Sequence, residues 1–495
     1  MAVPDERVSP AERVAGLTSW SADWRGLRVA VLGAGVTGFS VADTLVELGC
    51  DVLVTGAGAA ADRIELIDVI GARFVAGDEA AQAAAVREHG AELVVVSPGY
   101  HPDVPALAEA AAAGIPVLGD VELAWRLRDK EGAPAEWIAI TGTNGKTTTT
   151  QLATAMLQAG GLRARACGNI GSPVLDAIRE PGGHDVLVVE LSSYQLHWVN
   201  LVSPLASVCL NIADDHLDWH GSREAYIAAK AHVYERTRVA CVYNVDDPVT
   251  MRMVEDADVV EGARAVGFTL GVPAVSELGV VDGILADRAF LDDRRRSALE
   301  LTTVEDLAEH GLAAPHVVQD VLAAAALARA AGVPPVAIRD ALRSFELDAH
   351  RIQPVGEIDG VRFVDDSKAT NPHAATASLG AFERVVWVAG GLTKGVDVAP
   401  LVEAAAGRLA GVVLIGADRS AFLAALGRHA PDVPVAEVTA GETDRVMPDA
   451  VAAALDLAAP GDVVLLAPAA ASMDQFTDYA DRGRRFAEAV RAAGG

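Results

Sequence analysis

The stretch at residues 137–152, WIAITGTNGKTTTTQL, constrains this chain more than any other. Residues 137–140 read as a buried strand, Gly142 and Gly145 as a tight turn, and residues 147–152 as the opening of a helix. Such a turn aims backbone N–H groups and a helix N-terminus at one point, where a phosphate can sit. Lys146 would reach the β- and γ-phosphates, and the Thr147 hydroxyl would ligate Mg²⁺. The spacing departs from G-x-x-x-x-G-K-[ST], because Ile140 stands five places before Gly145. Gly-Lys-Thr at a strand-to-helix junction is nonetheless the context of a phosphate cradle.

The length, 495 residues, suits about three domains, and 51% hydrophobic residues give each a core. No apolar run reaches the ~18–20 residues of a membrane span, and the N-terminus lacks a signal-peptide pattern, so the expected protein is soluble and cytoplasmic. Cys50, Cys167, Cys209 and Cys241 are far apart and read as reduced thiols. A net charge of −28 argues against nucleic acid as a partner, and anionic ligands must be drawn by local cations. Those cations stand out: of 40 basic residues only five are lysines, at 130, 146, 230, 368 and 394. A retained lysine marks a place where arginine's wide, permanently charged fork would not serve.

Residues 1–24 read as a poorly ordered lead-in. A strand at 27–32 runs into Gly33-Ala-Gly35-Val-Thr-Gly38 and a helix, a dinucleotide fingerprint by spacing. The following strand, 51–54, ends in Thr55-Gly56 with no acid for a ribose, which disfavours a nicotinamide cofactor and an NAD-dependent dehydrogenase. Further βα units end in Ser97-Pro98-Gly99 and Gly119-Asp120. The polar connection 129–135, DKEGAPA, is the first boundary, giving domains at 25–132, 133–345 and 346–495. The fold class expected is α/β: a Rossmann-like N-terminal domain, a central P-loop ATPase domain with a parallel sheet plus a small β subdomain at 259–301, and a Rossmann-like C-terminal domain.

Glu190 ends the apolar strand 186–190 beside the phosphate turn, where a carboxylate either holds Mg²⁺ or simply faces solvent. His216 lies among Asp214, Asp215 and Asp218, which favours a metal role over an ordinary loop histidine. Lys230 lies on a helix, where lysine is usually solvated; a deprotonated amine can also take up CO₂ to become an anionic carbamate, which guanidinium does not. In the third domain, residues 365–371 (DDSKATN), 390–395 (GGLTKG) and 467–476 (APAAASMDQF) gather polar groups at three strand ends, suited to a small zwitterion bearing carboxylates. A P-loop switch that only hydrolyses ATP has no use for them.

These residues resemble the Mur ligase family over nearly all the chain after residue 25. The motifs are TGTNGKTT at 141–148, GNIG at 168–171, ELSSYQL at 190–196, DHLD at 215–218, AAK ending at Lys230, DSKATN at 366–371 and the PAAASMDQF…RG…F run from Pro468 to Phe486. The last two separate this chain from sister ligases that add another amino acid, or glutamate to folate. The resemblance implies an ATP-dependent ligase of cytoplasmic peptidoglycan synthesis, a monomer that joins D-glutamate to UDP-N-acetylmuramoyl-L-alanine through an acyl phosphate. It implies catalytic roles for Lys146, Glu190, His216, Lys230 and Lys368, and two Mg²⁺ ions held by Thr147, Glu190, His216 and carbamylated Lys230. ATP would meet Gly142, Thr143, Asn144, Gly145, Lys146, Thr147, Thr148, Asp320, Arg351 and Asp366. The UDP-sugar would meet Val36, Thr37, Ser97, Pro98, Gly99, Asn169, Ser192 and His216, and D-glutamate would meet Lys368, Thr370, Lys394, Ser472 and Tyr479. Two stretches depart from the family pattern: Val317 and Asp320 stand where asparagines are usual, and Thr55 where an acid often meets uracil.

Overall fold

The computed structural model describes residues 9–439 and 441–494. They form two compact units. One takes the chain up to Ile212, then Glu224–Val304 and Gln319–Ser344; the other takes Ala213–Arg223, Glu305–Val318 and the chain from Phe345.

The first unit holds two sheets. In the smaller, β1 (Arg28–Leu32), β2 (Asp51–Gly56), β3 (Arg73–Ala76), β4 (Leu93–Val96) and β5 (Val117–Gly119) are parallel in the order β3-β2-β1-β4-β5. Strands β1, β2 and β4 read as unbroken apolar runs because both faces are covered. The order reverses between β1 and β4, so the loops after them open a crevice.

The larger sheet comprises β6 (Glu136–Thr141), β7 (Ala164–Gly168), β8 (Val186–Glu190), β9 (Ala206–Cys209), β10 (Ala240–Asn244), β11 (Arg264–Phe268), β12 (Glu277–Val281), β13 (Ile284–Asp287) and β14 (Leu299–Thr303). Its order is β14-β13-β12-β11-β10-β9-β6-β8-β7, and β13 alone runs against the rest, pairing antiparallel with β12 on one side and β14 on the other. The short strands expected as a β subdomain thus prolong the central sheet at one edge. Asp282 and Gly283, at φ 48° and 79°, form the two-residue hairpin between β12 and β13, a turn that needs left-handed backbone twice. Because β6 lies between β8 and β9, the loops leaving these three strands converge.

One apolar core runs through both sheets, taking in Val29, Val31 and Leu45 with Trp125, Trp137 and Leu187. Trp125 and Trp137 meet edge to face, ring centres 5.0 Å apart. This core corrects the reading of the chain before residue 25. Residues 1–8 lie outside the described residues, but Pro10–Ala15 is a helix whose cap Ser9 forms a capping box with Glu12, and Val14, Leu17 and Trp24 are buried. Pro10 occupies the first helical turn, where its missing N–H leaves nothing unsatisfied.

The second unit is built on β15 (Gln353–Ile358), β16 (Val361–Asp365), β17 (Val385–Ala389), β18 (Leu409–Leu414), β19 (Val435–Glu437) and β20 (Val463–Leu466). Their order is β15-β16-β20-β17-β18-β19, parallel except for β15. Strands β16, β20 and β17 are neighbours, so the three polar loops that follow them share one end of the sheet. Five strands are absent from the sequence reading, β3, β7, β10, β15 and β19, and all of them but β10 are edge strands. An edge strand is covered less completely, and so lacks the continuous apolar run that betrays an inner one.

Candidate functional site

The phosphate turn joins β6 to the helix Lys146–Ala159, with Gly145 as its N-cap at φ 83°. Its shape is braced from β9: Thr143 N–H donates to the Asn211 carbonyl (2.9 Å), and Asn144 N–H to the Asn211 side-chain oxygen (2.9 Å). Lys146 Nζ donates to the carbonyls of Gly142 and Thr143, each at 2.9 Å. Lys230, only 2% exposed, donates to the Thr141 hydroxyl (3.1 Å) and to the same Gly142 carbonyl (2.9 Å). Two ammonium groups therefore meet at one oxygen inside the protein. Asp320 also faces this turn: a Cβ on Gly145 would lie 2.2 Å from its carboxylate.

Glu190 ends β8 directly beside Ile140 of β6. Its Oε1 accepts from Asn169 Nδ2 at 2.8 Å, while Oε2 is buried with no hydrogen-bond partner. A buried carboxylate oxygen without a donor is costly unless a cation completes it. Gly168 is required here, since a Cβ at this position, where φ is 101°, would stand 2.4 Å from the Glu190 carbonyl. Among the described residues no three His, Cys, Asp or Glu side chains form a metal cage. Mg²⁺ needs none, because it binds through one or two carboxylates, waters and substrate phosphates. Glu190 and the Thr147 hydroxyl on the first helical turn fit such a site.

Next to Glu190 lies a cavity of about 350 Å³ that bridges the two sheets of this unit. Val36, Thr37, Ser97, Pro98 and Asn169, all expected to meet a ligand, line it together with Gly35, Gly38, Gly168, Gly171, Pro173 and Gln195. It occupies the crevice where the strand order reverses. Gly38 lets the helix Val36–Glu47 close on the β1 loop, since a Cβ there would lie 1.9 Å from the Gly33 carbonyl. Thr55 is fully buried, and its hydroxyl is spent on the Val75 carbonyl (2.8 Å). Gly99 follows Pro98 in the same loop. Ser192 caps the helix Ser193–Leu196 in a capping box with Gln195.

The second unit contains the other expected residues. His216, in left-handed backbone (φ 54°), lies 3.5 Å from the Asp215 carboxylate, and Asp214 pairs with Arg223 at 2.9 Å. At the carboxyl end of its sheet the three polar loops are tied together. Leu392 and Ala471 exchange backbone hydrogen bonds of 2.9 Å, and Ser367 Oγ donates to the Tyr479 carbonyl (2.7 Å). Arg482, wholly buried, donates to the Ser367 hydroxyl and carbonyl and to the Ala470 carbonyl. Desolvation pulls its pKa down to about 10. Lys368 Nζ lies over the Tyr479 ring, 3.8 Å from its centre. Ser472 is buried in the same cluster, and Lys394 holds left-handed backbone at φ 52°. His350 Nδ1 meets Asp365 at 2.6 Å, a contact that raises the histidine's pKa, and it seats on Gly483, where a Cβ would lie 2.2 Å from that nitrogen.

Asp366 is 7% exposed, and burial pushes its carboxyl up to about 6 against the opposing hydrogen bonds of Ser378 and Ile352 and the charge of Arg351. The ordinary value is 3.8, so below about pH 4 both folded and unfolded chains hold the proton. Stability is then lost as pH rises from about 4 to 6 and stays lost above it, on the order of 3 kcal/mol in all. Asp366→Asn is expected to melt above the wild type at pH 7.5 and to converge with it at pH 4. A melting-temperature difference that stays constant over that range counts against this assignment.

Sequence models of three domains match the chain: the Mur ligase MurD-like N-terminal domain at residues 27–119, the Mur ligase middle domain at 140–328 and the Mur ligase glutamate ligase domain at 350–470. A protein of Leifsonia xyli subsp. xyli named UDP-N-acetylmuramoylalanine–D-glutamate ligase is 63% identical over 97% of this chain and 95% of its own length. The chain belongs to the Mur ligase family. Like-named proteins of Streptomyces avermitilis and Mycolicibacterium smegmatis are 54% and 50% identical, each over 95% of this Mur ligase and over 99% and 97% of their own lengths. Among solved structures, a pseudomurein peptide ligase type C from Methanothermus fervidus shares the fold at a TM-score of 0.55 and 18% identity, over 94% of this chain and 100% of that one. A UDP-N-acetylmuramate-alanine ligase from Thermotoga maritima does so at 0.53 and 19%, over 94% and 99%.

Sequence reasoning missed two groups in this Mur ligase. Asn211, which braces the phosphate turn, sits in the LNIADDH stretch that drew attention only for His216 and its acids. Gln195 had a usable signal, because Ser192-x-x-Gln195 has capping-box spacing at the end of a buried strand.

Proposed function

We propose that this Mur ligase joins D-glutamate to UDP-N-acetylmuramoyl-L-alanine, consuming ATP, as a cytoplasmic step of peptidoglycan precursor synthesis. The observation that carries this reading is the DSKATN loop tied to the loop bearing Ser472 and Tyr479, in a chain whose close relatives bear that activity's name. The L-alanine carboxylate takes the γ-phosphoryl group of ATP to become an acyl phosphate. The amine of D-glutamate then attacks the carbonyl carbon, a C–N bond forms as the C–O bond to phosphate breaks, and the amine gives up a proton.

In this reading the phosphate turn, residues 142–148, cradles ATP, and Lys146 leaves Gly142 and Thr143 to meet its terminal phosphates. Mg²⁺, when bound, neutralises charge in phosphoryl transfer. Thr147 and Glu190 hold one ion; His216 and Lys230 serve a second. For Lys230 this requires a carbamate: its neutral amine attacks CO₂, an N–C bond forms and a proton leaves to solvent. The shared Gly142 carbonyl supports this, since an anionic group beside the Lys146 ammonium turns repulsion into attraction. Val36, Thr37, Ser97, Pro98, Gly99, Asn169 and Ser192 receive the UDP-sugar. Asp320, Arg351 and Asp366 serve ATP, while Lys368, Thr370, Lys394, Ser472 and Tyr479 hold D-glutamate.

Phosphate release is measured with UDP-N-acetylmuramoyl-L-alanine and D-glutamate, L-glutamate, L-alanine or diaminopimelate, and with the UDP-sugars matched to each. Release that depends on D-glutamate alone is the expected result. Release that ignores D-glutamate rejects the reading.

A further inference from the structure

Asp120 lies outside every motif that marks this family in the sequence, yet it is 4% exposed and its carboxylate faces the side chain that closes one wall of the bridging cavity. It begins the helix Asp120–Arg126, immediately after β5. Its Oδ2 accepts from Gln195 Nε2 at 3.1 Å. The other end of that amide, Gln195 Oε1, accepts from the Ser192 backbone N–H (3.1 Å) and hydroxyl (3.2 Å). An ionised carboxylate can only accept and a backbone N–H can only donate, so just one of the two flipped orientations of Gln195 satisfies both anchors. One N–H of Gln195 remains after both anchors are met, and Gln195 lines the cavity beside Asn169.

Among the described residues no cation pairs with Asp120. The donors acting on it are Gln195 and the backbone N–H groups of residues 120 and 121, and burial moves its carboxyl up to about 6. Glu122 and Arg126, the other charges on its helix, are engaged with each other and with the N–H groups of Asn200 and Leu201. A buried carboxylate without a cation is a liability to folding that an asparagine would avoid. The acceptor-only character of aspartate is what asparagine would lose.

We propose that Asp120 is a positioning residue: it fixes the Gln195 amide with its donor side committed, so that the cavity offers a hydrogen-bond donor to a carbonyl or carboxylate oxygen of the bound ligand. This rests on the reading that the cavity receives the UDP-sugar. Asp120→Asn leaves shape and volume nearly unchanged but can turn a donor toward Gln195, so that one of its two anchors is lost and the Ser192 contacts alone hold the amide.

The test is calorimetric titration of the full chain with UDP-N-acetylmuramoyl-L-alanine without ATP, beside titration with ATP alone. Asp120→Asn is expected to weaken the UDP-sugar about tenfold, leave ATP binding unchanged and add nothing in a Gln195→Leu background. Wild-type affinity for the UDP-sugar should fall between pH 7 and 5, as the carboxyl gains a proton and can donate, and should fall more steeply than that of Asp120→Asn. Unchanged affinity in Asp120→Asn, or a loss that persists undiminished in the double variant, overturns the proposal. If Asp120→Asn does not fold, a wild-type affinity constant from pH 7 to 5 overturns it instead. A wild-type chain that fails to bind the UDP-sugar at pH 7 rejects the functional reading itself, a result distinct from all of these.

Discussion

Replacing Lys230 by arginine or alanine is expected to lower turnover by at least about 10³-fold, the scale of losing a group that stabilises charge in a closed site. Lys230 is 2% exposed and already shares the Gly142 carbonyl with Lys146, so neither bulk solvent nor a nearby mobile cation can stand in for it. Arginine keeps the positive charge, which makes it the decisive variant. If Lys230 acts as a cation, Lys230→Arg retains much of the activity. If it acts as a carbamate, guanidinium cannot form one and activity is lost. Excess bicarbonate should restore neither variant, whereas short carboxylic acids should partly rescue Lys230→Ala by placing an anion where the carbamate stood. Full activity in Lys230→Arg removes the carbamate from the mechanism.

Glu190→Gln is expected to separate stability from activity. Oε1 keeps its bond from Asn169 in the variant, because the amide oxygen can occupy the same position. At the other position a neutral amide replaces a buried carboxylate oxygen that has no hydrogen-bond partner. Removing a charged oxygen that no hydrogen bond satisfies should stabilise the ligand-free protein by about 1–3 kcal/mol, read as a higher denaturant midpoint. Turnover should nonetheless fall about 10²- to 10³-fold, with a raised requirement for Mg²⁺. A variant both less stable and fully active would mean that Glu190 is a structural carboxylate. The opposite signs matter, since a residue selected for folding alone would not be left with an orphaned oxygen.

The two variants probe one arrangement from opposite charges, and neither charge is explained by its own neighbours in sequence. Lys230 looks like any helix lysine, and Glu190 could equally have faced solvent. Their meaning comes from strand order: β6 lies between β8 and β9, which brings Glu190, Asn211 and the phosphate turn together at the carboxyl ends of adjacent strands.

The sequence by itself determined the local pieces. A strand, two glycines and a Gly-Lys-Thr junction make a phosphate turn, because left-handed backbone at Gly145 and a free helix N-terminus are properties of a few adjacent residues. Buried parallel strands were legible as continuous apolar runs, and the polar clusters at Lys368, Lys394 and Ser472 fell at strand ends as their composition indicated. Only the tertiary structure decided the partnerships. Lys230 shares its acceptor with Lys146 across 88 and 4 residues of chain, and Asp120 reaches Gln195 across 75. The packing of Val14, Leu17 and Trp24 into a core common to two sheets was equally out of reach, because burial depends on what arrives from elsewhere. Backbone conformation is set within a turn or two, whereas hydrogen-bond pairing and charge proximity are set by how strands are ordered, and this protein places its chemistry at those crossings.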